Sequence, residues 1–316
     1  MYLSDNEIAF FDHNVLRLNK EKRDQYLRQV DNLIDQLRKK AVEEPFAVQK
    51  ILKAGSLRKG TVLRPRGDNG VDADLAVYLT VPDAAQFDLG SLHARIRALL
   101  IAIYPQMRPE QFTVQRRTLG IAFRQSELSV DLVPVVPADG PGDYGWQPSS
   151  EGAPPVLTSI PGQLEFITRH AQADSRFRPL VRLVKSWRNQ QGLKLRSFAV
   201  ELILAAIQDN QGPAASLESG LLRFLLFVAR TELQSPVSFP ENGAVQRWPA
   251  DPVIVLDPVN SDNNVTARLT AQERSDIVVH ATEAWETLTT ARRHGAKTVT
   301  LEYWKDVFGR SFRIEE

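Results

Sequence analysis

The stretch AGSLRKGTVLRPRGDNGVDADLAVYL, residues 54–79, decides the fold that we predict for this chain. Its second half alternates like a strand, which places Asp72 and Asp74 together on one face. The Cα atoms of residues spaced in this way lie about 7 Å apart, and their carboxylates can share hard cations. A buried carboxylate without a partner is costly, so the pair predicts a metal site. The other face of the strand is apolar and consists of Val71, Ala73, Leu75, Val77 and Leu79.

A third carboxylate lies in a second apolar strand. Asp131 is the only acidic residue in LSVDLVPVV, residues 128–136. Two divalent ions about 4 Å apart, held by three aspartates, would activate an attacking hydroxyl and neutralise a leaving pyrophosphate. Gly55 and Ser56 provide the complementary half of such a site. Glycine lets the backbone approach phosphate, and backbone N–H groups with a hydroxyl at a helix start bind anions.

The order of these motifs resembles that of the polymerase-beta-type nucleotidyltransferases, with a Gly-Thr pair at residues 60–61 between the Gly-Ser and Asp-x-Asp motifs. The segments LVKSW, residues 183–187, and LRSFAVEL, residues 195–202, are similar to segments of the oligoadenylate synthases and the cyclic GMP–AMP synthase group. DPVNSDNNV, residues 257–265, resembles a further segment of those enzymes. Together, residues 48–265 resemble the bacterial CD-NTases, which are cyclic oligonucleotide synthases of anti-phage CBASS signalling.

The resemblance implies an α+β protein with two lobes. A polymerase-beta-like nucleotidyltransferase lobe with a mixed sheet would occupy residues 1–150, and a helical lobe like that of the oligoadenylate synthases would occupy residues 151–316. A long N-terminal helix would brace them. The resemblance also implies that three residues are catalytic and bind Mg²⁺ or Mn²⁺, namely Asp72, Asp74 and Asp131.

By the same resemblance, four residues would contact the triphosphate of ATP or another nucleoside triphosphate: Gly55, Ser56, Lys185 and Ser197. The implied reaction joins and cyclises nucleoside triphosphates into a cyclic di- or oligonucleotide second messenger and releases pyrophosphate. A separate effector protein would read the product.

Two alternative functions stay open at this point. A single-transfer nucleotidyltransferase that modifies a protein, an antibiotic or an RNA end would use the same three aspartates. Such an enzyme need not carry the Lys185-x-Trp187 and Asn-Asn-Val segments. A non-catalytic binder on the same fold would leave the three acidic residues unexplained.

Several of these residues also have a structural interpretation. Ser197 is placed to cap a helix, and Ser159 is placed to cap another. Charged residues of one helix, Lys185 among them, could form a solvated face. The asparagine-rich segment at residues 257–265 has the composition of a surface turn, and its role in the family suggests a mainly structural part.

Composition narrows the classes of partner. The chain has 316 residues and a net charge of +1, which argues against a large nucleic-acid-binding surface, so we expect no DNA binding. It has no cysteine, which excludes a disulfide framework and a thiolate zinc site. No apolar run reaches membrane-spanning length and no signal-peptide pattern is present, so we expect a cytoplasmic protein without a membrane partner.

Hydrophobic periodicity and capping residues give the remaining elements. A stretch dense in proline and glycine, residues 137–161, predicts a loop-rich boundary between the lobes. The patterns predict helices at residues 19–44, 91–103, 216–233 and 270–293 and strands at residues 112–116 and 119–124.

Overall fold

The structure, a computed structural model, describes residues 3–65, 70–81, 91–138, 143–245 and 248–315. Part of the first quoted stretch, residues 66–69, therefore lies outside the described residues. The chain divides into two compact units, one formed by Leu18–Leu164 and the other by Met1–Arg17 with Glu165–Glu316. The division into functional lobes at residue 150 stays a prediction.

The described residues form ten α-helices and nine strands. The helices are α1 (Asp5–Phe11), α2 (Lys20–Lys40), α3 (Gly55–Lys59), α4 (Ser91–Ile103), α5 (Ile160–Ala173), α6 (Phe177–Gln190), α7 (Ser197–Gln211), α8 (Leu217–Thr231), α9 (Ala271–Ala291) and α10 (Lys297–Phe308). The strands are β1 (Ala47–Ala54), β2 (Val71–Thr80), β3 (Phe112–Val114), β4 (Leu119–Phe123), β5 (Leu128–Pro137), β6 (Gly145–Gln147), β7 (Val156–Thr158), β8 (Leu256–Asp257) and β9 (Asn260–Asn264).

The unit Leu18–Leu164 is built on a mixed sheet. Its strand order is β1-β2-β5-β4-β3, with β6 paired to β5 and β7 paired to β6. The β2–β5 pair is parallel, whereas the other pairs of this sheet are antiparallel. The α+β prediction is thus confirmed. The strands β6 and β7 were not predicted, because they are three-residue segments in a proline- and glycine-rich stretch.

The core of this unit lies on one face of the sheet. The five apolar residues of β2 named above are buried there in a single cluster with one side of α2. The α2 residues in this cluster are Tyr26, Val30, Leu33, Ile34 and Leu37. That helix starts where predicted, because the Asn19 side chain accepts a hydrogen bond from the Lys22 N–H at 2.8 Å. It ends at Lys40, before the predicted end at residue 44, and a 3₁₀ turn, Ala41–Glu43, follows. Burying one face of β2 leaves the face with the acidic residues uncovered by this core.

A smaller apolar cluster occupies that second face farther along the strands. Ala76, Tyr78 and Val135 are buried in it, and Ile160 packs against them. Burial raises the pKa of Tyr78 to about 12, so its hydroxyl stays protonated and donates a hydrogen bond to the carbonyl of Asp143 at 3.1 Å. The second face is therefore acidic at one end and apolar at the other.

The unit Met1–Arg17 with Glu165–Glu316 is mainly helical. Its short hairpin of β8 and β9 is held by Asn264, whose side-chain oxygen accepts from the N–H groups of Val255 at 3.0 Å and Thr266 at 3.1 Å. The Asn264 amide nitrogen donates to the Val253 carbonyl at 2.8 Å. These bonds confirm the structural role predicted for the asparagine-rich segment.

The caps of two predicted helices are present. Ser159 precedes α5, and its hydroxyl accepts from the Gly162 N–H at 3.2 Å. Thr270 and Glu273 form the capping box of α9. No helix in the described ranges combines the length and the apolar character that a membrane crossing requires.

The charged side of α6 differs from the solvated face that was considered. Arg182 is buried, and its Nε and Nη2 donate to the two carboxylate oxygens of Asp12 at 2.7 and 2.6 Å. Asp12 begins a π-helical turn, Asp12–Leu16, that follows α1. Lys185 is buried as well. The solvated-face interpretation is therefore wrong for these two cations, since both are buried. Helix periodicity could not reveal the partner of Arg182, which lies 170 residues away in the sequence.

We expect Asp12→Ala to lower the free energy of unfolding by about 3–5 kcal/mol, because it leaves a buried guanidinium without its counter-charge. The side chains of Arg182 and Asp12 are only 4% and 7% exposed. The matched control is Glu302→Ala, which breaks the exposed Glu302–Lys305 pair and should cost less than about 1 kcal/mol. Urea unfolding measures both, and equal losses would contradict a special role for the buried pair.

Candidate active site

Two of the three predicted acidic residues are direct neighbours in the sheet. In the parallel pairing of β2 with β5, Asp74 lies opposite Asp131 and Asp72 lies opposite Ser129. Asp72 is exposed, whereas Asp74 and Asp131 are half-buried. Because side chains two residues apart share a strand face, the backbone presents all three carboxylates on the same side of the sheet.

The electrostatics of this face are unfavourable for Asp131. Burial raises the pKa of the Asp131 carboxyl to about 6, and the negative charges of Asp74 and Asp72 contribute to the increase. The ionised form is therefore destabilised both by lost hydration and by like charge. A bound cation would reverse this balance, since it favours the ionised carboxylates.

Gly55 lies directly against the acidic pair. It follows β1, in which Ala54 is the register partner of Asp74. Gly55 has a φ of +61°, and a Cβ atom added to it would lie 1.6 Å from the Asp74 Oδ2. Only glycine fits this position, because both the backbone conformation and the close approach exclude a side chain. Gly55 and Ser56 open α3, as predicted from the Gly-Ser motif.

A second glycine was missed in the sequence. Gly120 of β4 is the register partner of Asp131, and Thr113 of β3 is the partner of Gly120 on its other side. A Cβ atom added at Gly120 would lie 2.4 Å from the Thr113 Oγ1 and 3.1 Å from the Asp131 Oδ1. A glycine inside an apolar strand often marks such a close approach, and this signal could have identified the position.

The predicted triphosphate ligands Lys185 and Ser197 lie in the other compact unit, on α6 and at the start of α7. Ser197 is the first residue of its helix rather than the cap, because Arg196 occupies the N-cap position. The Ser197 hydroxyl accepts from the Arg188 Nη1 at 3.2 Å, and the same nitrogen donates to the Leu195 carbonyl at 2.6 Å. The N-cap interpretation of Ser197 is thus wrong. A serine hydroxyl that accepts one bond still has a proton to donate.

The whole chain is similar to known bacterial proteins. It is 38% identical over 317 residues to the CBASS oligonucleotide cyclase CdnC of Escherichia coli (strain KTE188), covering 100% of this chain and 99% of that protein. The chain belongs to the CBASS oligonucleotide cyclases. The cyclic AMP-AMP-AMP synthase of Escherichia coli (strain MS 115-1) is 33% identical over 322 residues, covering 99% of this chain and 98% of that protein. No protein-family model matches the chain.

Solved structures agree with this membership. CdnC of E. coli MS115-1 with ATP has a TM-score of 0.84 and 32% identity, covering 98% of this chain and 99% of that chain. DncV of Vibrio cholerae, with a TM-score of 0.75 and 12% identity, covers 99% of this chain and 97% of that chain and shows the fold alone. The predicted family and activity are confirmed: this cyclase joins nucleoside triphosphates into a cyclic oligonucleotide messenger of anti-phage defence. The alternative of a single-transfer nucleotidyltransferase is not supported.

The acidic face of the cyclase has the donor chemistry that a divalent cation requires. Carboxylate oxygens are hard ligands suited to Mg²⁺ or Mn²⁺, and the raised pKa of Asp131 reflects its burial first and the neighbouring negative charges of Asp74 and Asp72 second. Within the described ranges, no three acidic or histidine side chains lie close enough together to hold an ion as they stand. Neighbouring strands are only about 4.8 Å apart, so side-chain rotation alone could bring the Asp74 and Asp131 carboxylates together.

We expect Gly55→Ala to reduce cyclase activity about a hundredfold, since a displacement of about 1 Å in a catalytic group has an effect of this size. The added Cβ would push the Asp74 carboxylate aside. Gly152→Ala is the matched control, because Gly152 also has a positive φ, +71°, but no atom lies within 4 Å of its added Cβ. Both variants should lose about 1–3 kcal/mol of stability from backbone strain. Equal activities would show that contact with Asp74 is unimportant.

We expect Asp131→Asn to match or exceed the thermal midpoint of the original protein at neutral pH in EDTA. The folded pKa of Asp131, about 6, lies above its ordinary 3.8, so the folded state holds the proton more tightly than the unfolded state. That contribution is complete below about pH 4 and is lost as the pH rises through about 6. The variant lacks this loss. The measurement is the thermal midpoint of Asp131→Asn minus that of the original protein, taken at neutral pH and at about pH 4. A smaller difference at neutral pH than at about pH 4 would contradict the assignment.

Proposed function

We propose that this cyclase holds Mg²⁺ or Mn²⁺ with Asp72, Asp74 and Asp131 and joins three adenylates from ATP into a ring. The observation that carries the metal site is the register of β2 and β5, which sets Asp74 opposite Asp131. The observation that carries the product is the 33% identity, over nearly the full length of both chains, to a cyclic AMP-AMP-AMP synthase.

The bound ion would lower the negative charge on the reacting phosphate and make the attacking ribose hydroxyl more acidic. The three aspartates would hold the ion in place and balance its positive charge with their carboxylates. Asp131 would act only in its ionised form, which its surroundings disfavour until a cation arrives. Gly55 brings the backbone directly beside the Asp74 carboxylate with no side chain between them, so a phosphate bound by the α3 N-terminus would lie close to the metal ligands.

Four residues are proposed to hold the donor triphosphate: Gly55, Ser56, Lys185 and Ser197. Lys185 would act as a compact point charge on phosphate. Its burial excludes water and so strengthens the electrostatic attraction between its ammonium and the phosphate. Ser197 would donate its hydroxyl proton, since Arg188 occupies one of its acceptor sites. Because Lys185 is buried, its replacement should also reduce stability, whereas an off-core side chain would not.

Partners are proposed by similarity. A solved structure holds E. coli MS115-1 CdnC in complex with a HORMA protein, and that CdnC chain matches 98% of this one at a TM-score of 0.84. We infer a HORMA-domain partner for this cyclase and a separate effector that binds the cyclic product. Its substrates point to the cytoplasm as its place of action. The net charge of +1 remains our reason to expect no DNA binding.

The product assay tests this function. The enzyme is incubated with Mg²⁺ and each radiolabelled nucleoside triphosphate alone, then with all of them mixed, and the products are treated with alkaline phosphatase. We expect ATP alone to give a phosphatase-resistant species with the mass of three adenylates joined in a ring. Asp131→Asn and EDTA should each abolish it. A resistant product of another ring size, or one that requires a second base, would overturn the proposed composition.

A further inference from the structure

A small cavity of about 180 Å³ lies in the helical unit, between two segments that are distant in the chain. One segment precedes α7 and the other links β9 to α9. Three of the six side chains at this cavity are cationic. Its lining consists of Lys194, Arg196, Thr266, Arg268, Leu269 and Glu273. We call this cavity the basic pocket.

The positive charge of the basic pocket is not neutralised by the protein. None of its three cations forms a salt bridge with another residue in the part of the chain that the structure describes. Among the described lining residues, Glu273 is the only acidic one, and its carboxylate accepts from the N–H of Thr270 at 2.9 Å and from the Thr270 hydroxyl at 3.1 Å. The single negative charge of Glu273 offsets only one of the three positive charges around the pocket.

The cations of the basic pocket also repel each other. The Arg196 side chain is exposed at its surface, but protein atoms around it still remove part of its hydration, which lowers its pKa from the ordinary value, and the charge of Arg268 lowers it further. Two guanidinium groups that are held together at a cost in the absence of an anion would both be stabilised by one.

The remaining polar group of the pocket is not free to bind a ligand. The Thr266 hydroxyl donates to the Val253 carbonyl and also lies 2.8 Å from the Asn264 side-chain oxygen. Recognition therefore falls to the three side chains with N–H donors. Two planar guanidinium groups and one ammonium suit an anion with several oxygens in a tetrahedral arrangement, and phosphate is such an anion.

We propose that the basic pocket is a phosphate-binding site, distinct in its residues from the donor-triphosphate ligands Lys185 and Ser197. The chemistry of a cyclase offers two sources of that phosphate: the released pyrophosphate and the phosphodiester of a linear oligonucleotide before ring closure. The charges and contacts of the pocket support this site independently of the roles proposed for the aspartates.

Titration calorimetry with inorganic pyrophosphate on the full chain, without divalent cations, tests the site. We expect Arg268→Ala to weaken pyrophosphate binding at least about tenfold, the effect of losing a charge-assisted hydrogen bond. Because Arg268 is exposed, the variant should fold normally, and its thermal midpoint should stay unchanged or rise as repulsion with Arg196 is relieved. Arg293→Ala is the control, since Arg293 is exposed on the same unit outside the pocket.

Lys185→Ala separates this proposal from the donor site. If the basic pocket binds phosphate, the single variant Lys185→Ala still binds pyrophosphate. The double variant Lys185→Ala/Arg268→Ala then loses that binding. If Arg268→Ala binds pyrophosphate as the original protein does, or no more weakly than Arg293→Ala, the basic pocket is rejected, whatever Lys185→Ala shows.

A second arm distinguishes the sources. The dinucleotide ApA carries one phosphodiester and no terminal phosphate. Binding of ApA that depends on Arg268 would support the linear intermediate as the natural ligand. Binding of pyrophosphate but not of ApA would support the released by-product. If neither probe shows binding that depends on Arg268 at low ionic strength, where screening is weakest, the proposal fails.

Discussion

The parallel pairing of β2 with β5 sets Asp74 opposite Asp131. The rest of the unit Leu18–Leu164 has to maintain this pairing of two acidic residues. Burial imposes a desolvation cost on Asp131 and the like charges of Asp74 and Asp72 add repulsion, which together raise its pKa to about 6. The opposite face of the same strands carries the apolar core that holds them in register. Hydrophobic packing on one face thus maintains an electrostatically unfavourable arrangement on the other.

The space around the acidic pair is made by residues without side chains. Gly55 stands against the Asp74 Oδ2, and Gly120 stands between the Thr113 hydroxyl and the Asp131 Oδ1. A methyl group at either position would force a carboxylate or hydroxyl to move. Since no side chain fills these positions, the backbone of the neighbouring strands can lie directly against the acidic pair. This explains why a glycine-rich motif and an acidic motif belong together in the same stretch of sequence.

The sequence predicts this part of the molecule well because the information is local. Strand alternation places Asp72 and Asp74 on one face, and the isolation of Asp131 in an apolar strand identifies its partner strand. The register between those strands could not be predicted, since it depends on pairing across 57 positions, from Asp74 to Asp131. Gly120 is a glycine inside an apolar strand, which often marks a close approach of the backbone to another group. The alternation of apolar residues alone did not identify this position.

Charge patterns on helices were less informative for the same reason. Arg182 and Lys185 fall on the polar side of α6, but the chain buries both, and the partner of Arg182 is Asp12 at the opposite end of the sequence. Helix periodicity shows which residues share a side and does not show what covers that side. Ser197 was misassigned by one position, because helix ends are set by backbone geometry that a polar residue does not uniquely determine.

The fate of its charges separates the structural from the functional parts of this protein. Arg182 is matched by a bidentate carboxylate, so its charge is neutralised within the unit in which it lies. At the acidic face and in the basic pocket, side chains of one sign lie together, and the pKa values of Asp131 and Arg196 are perturbed by lost hydration first and by the neighbouring like charge second. Such an arrangement lowers stability in the isolated protein, and it is compensated when an ion of opposite charge binds. The two regions have opposite signs, as an enzyme requires when it must hold both cations and the phosphates that those cations activate.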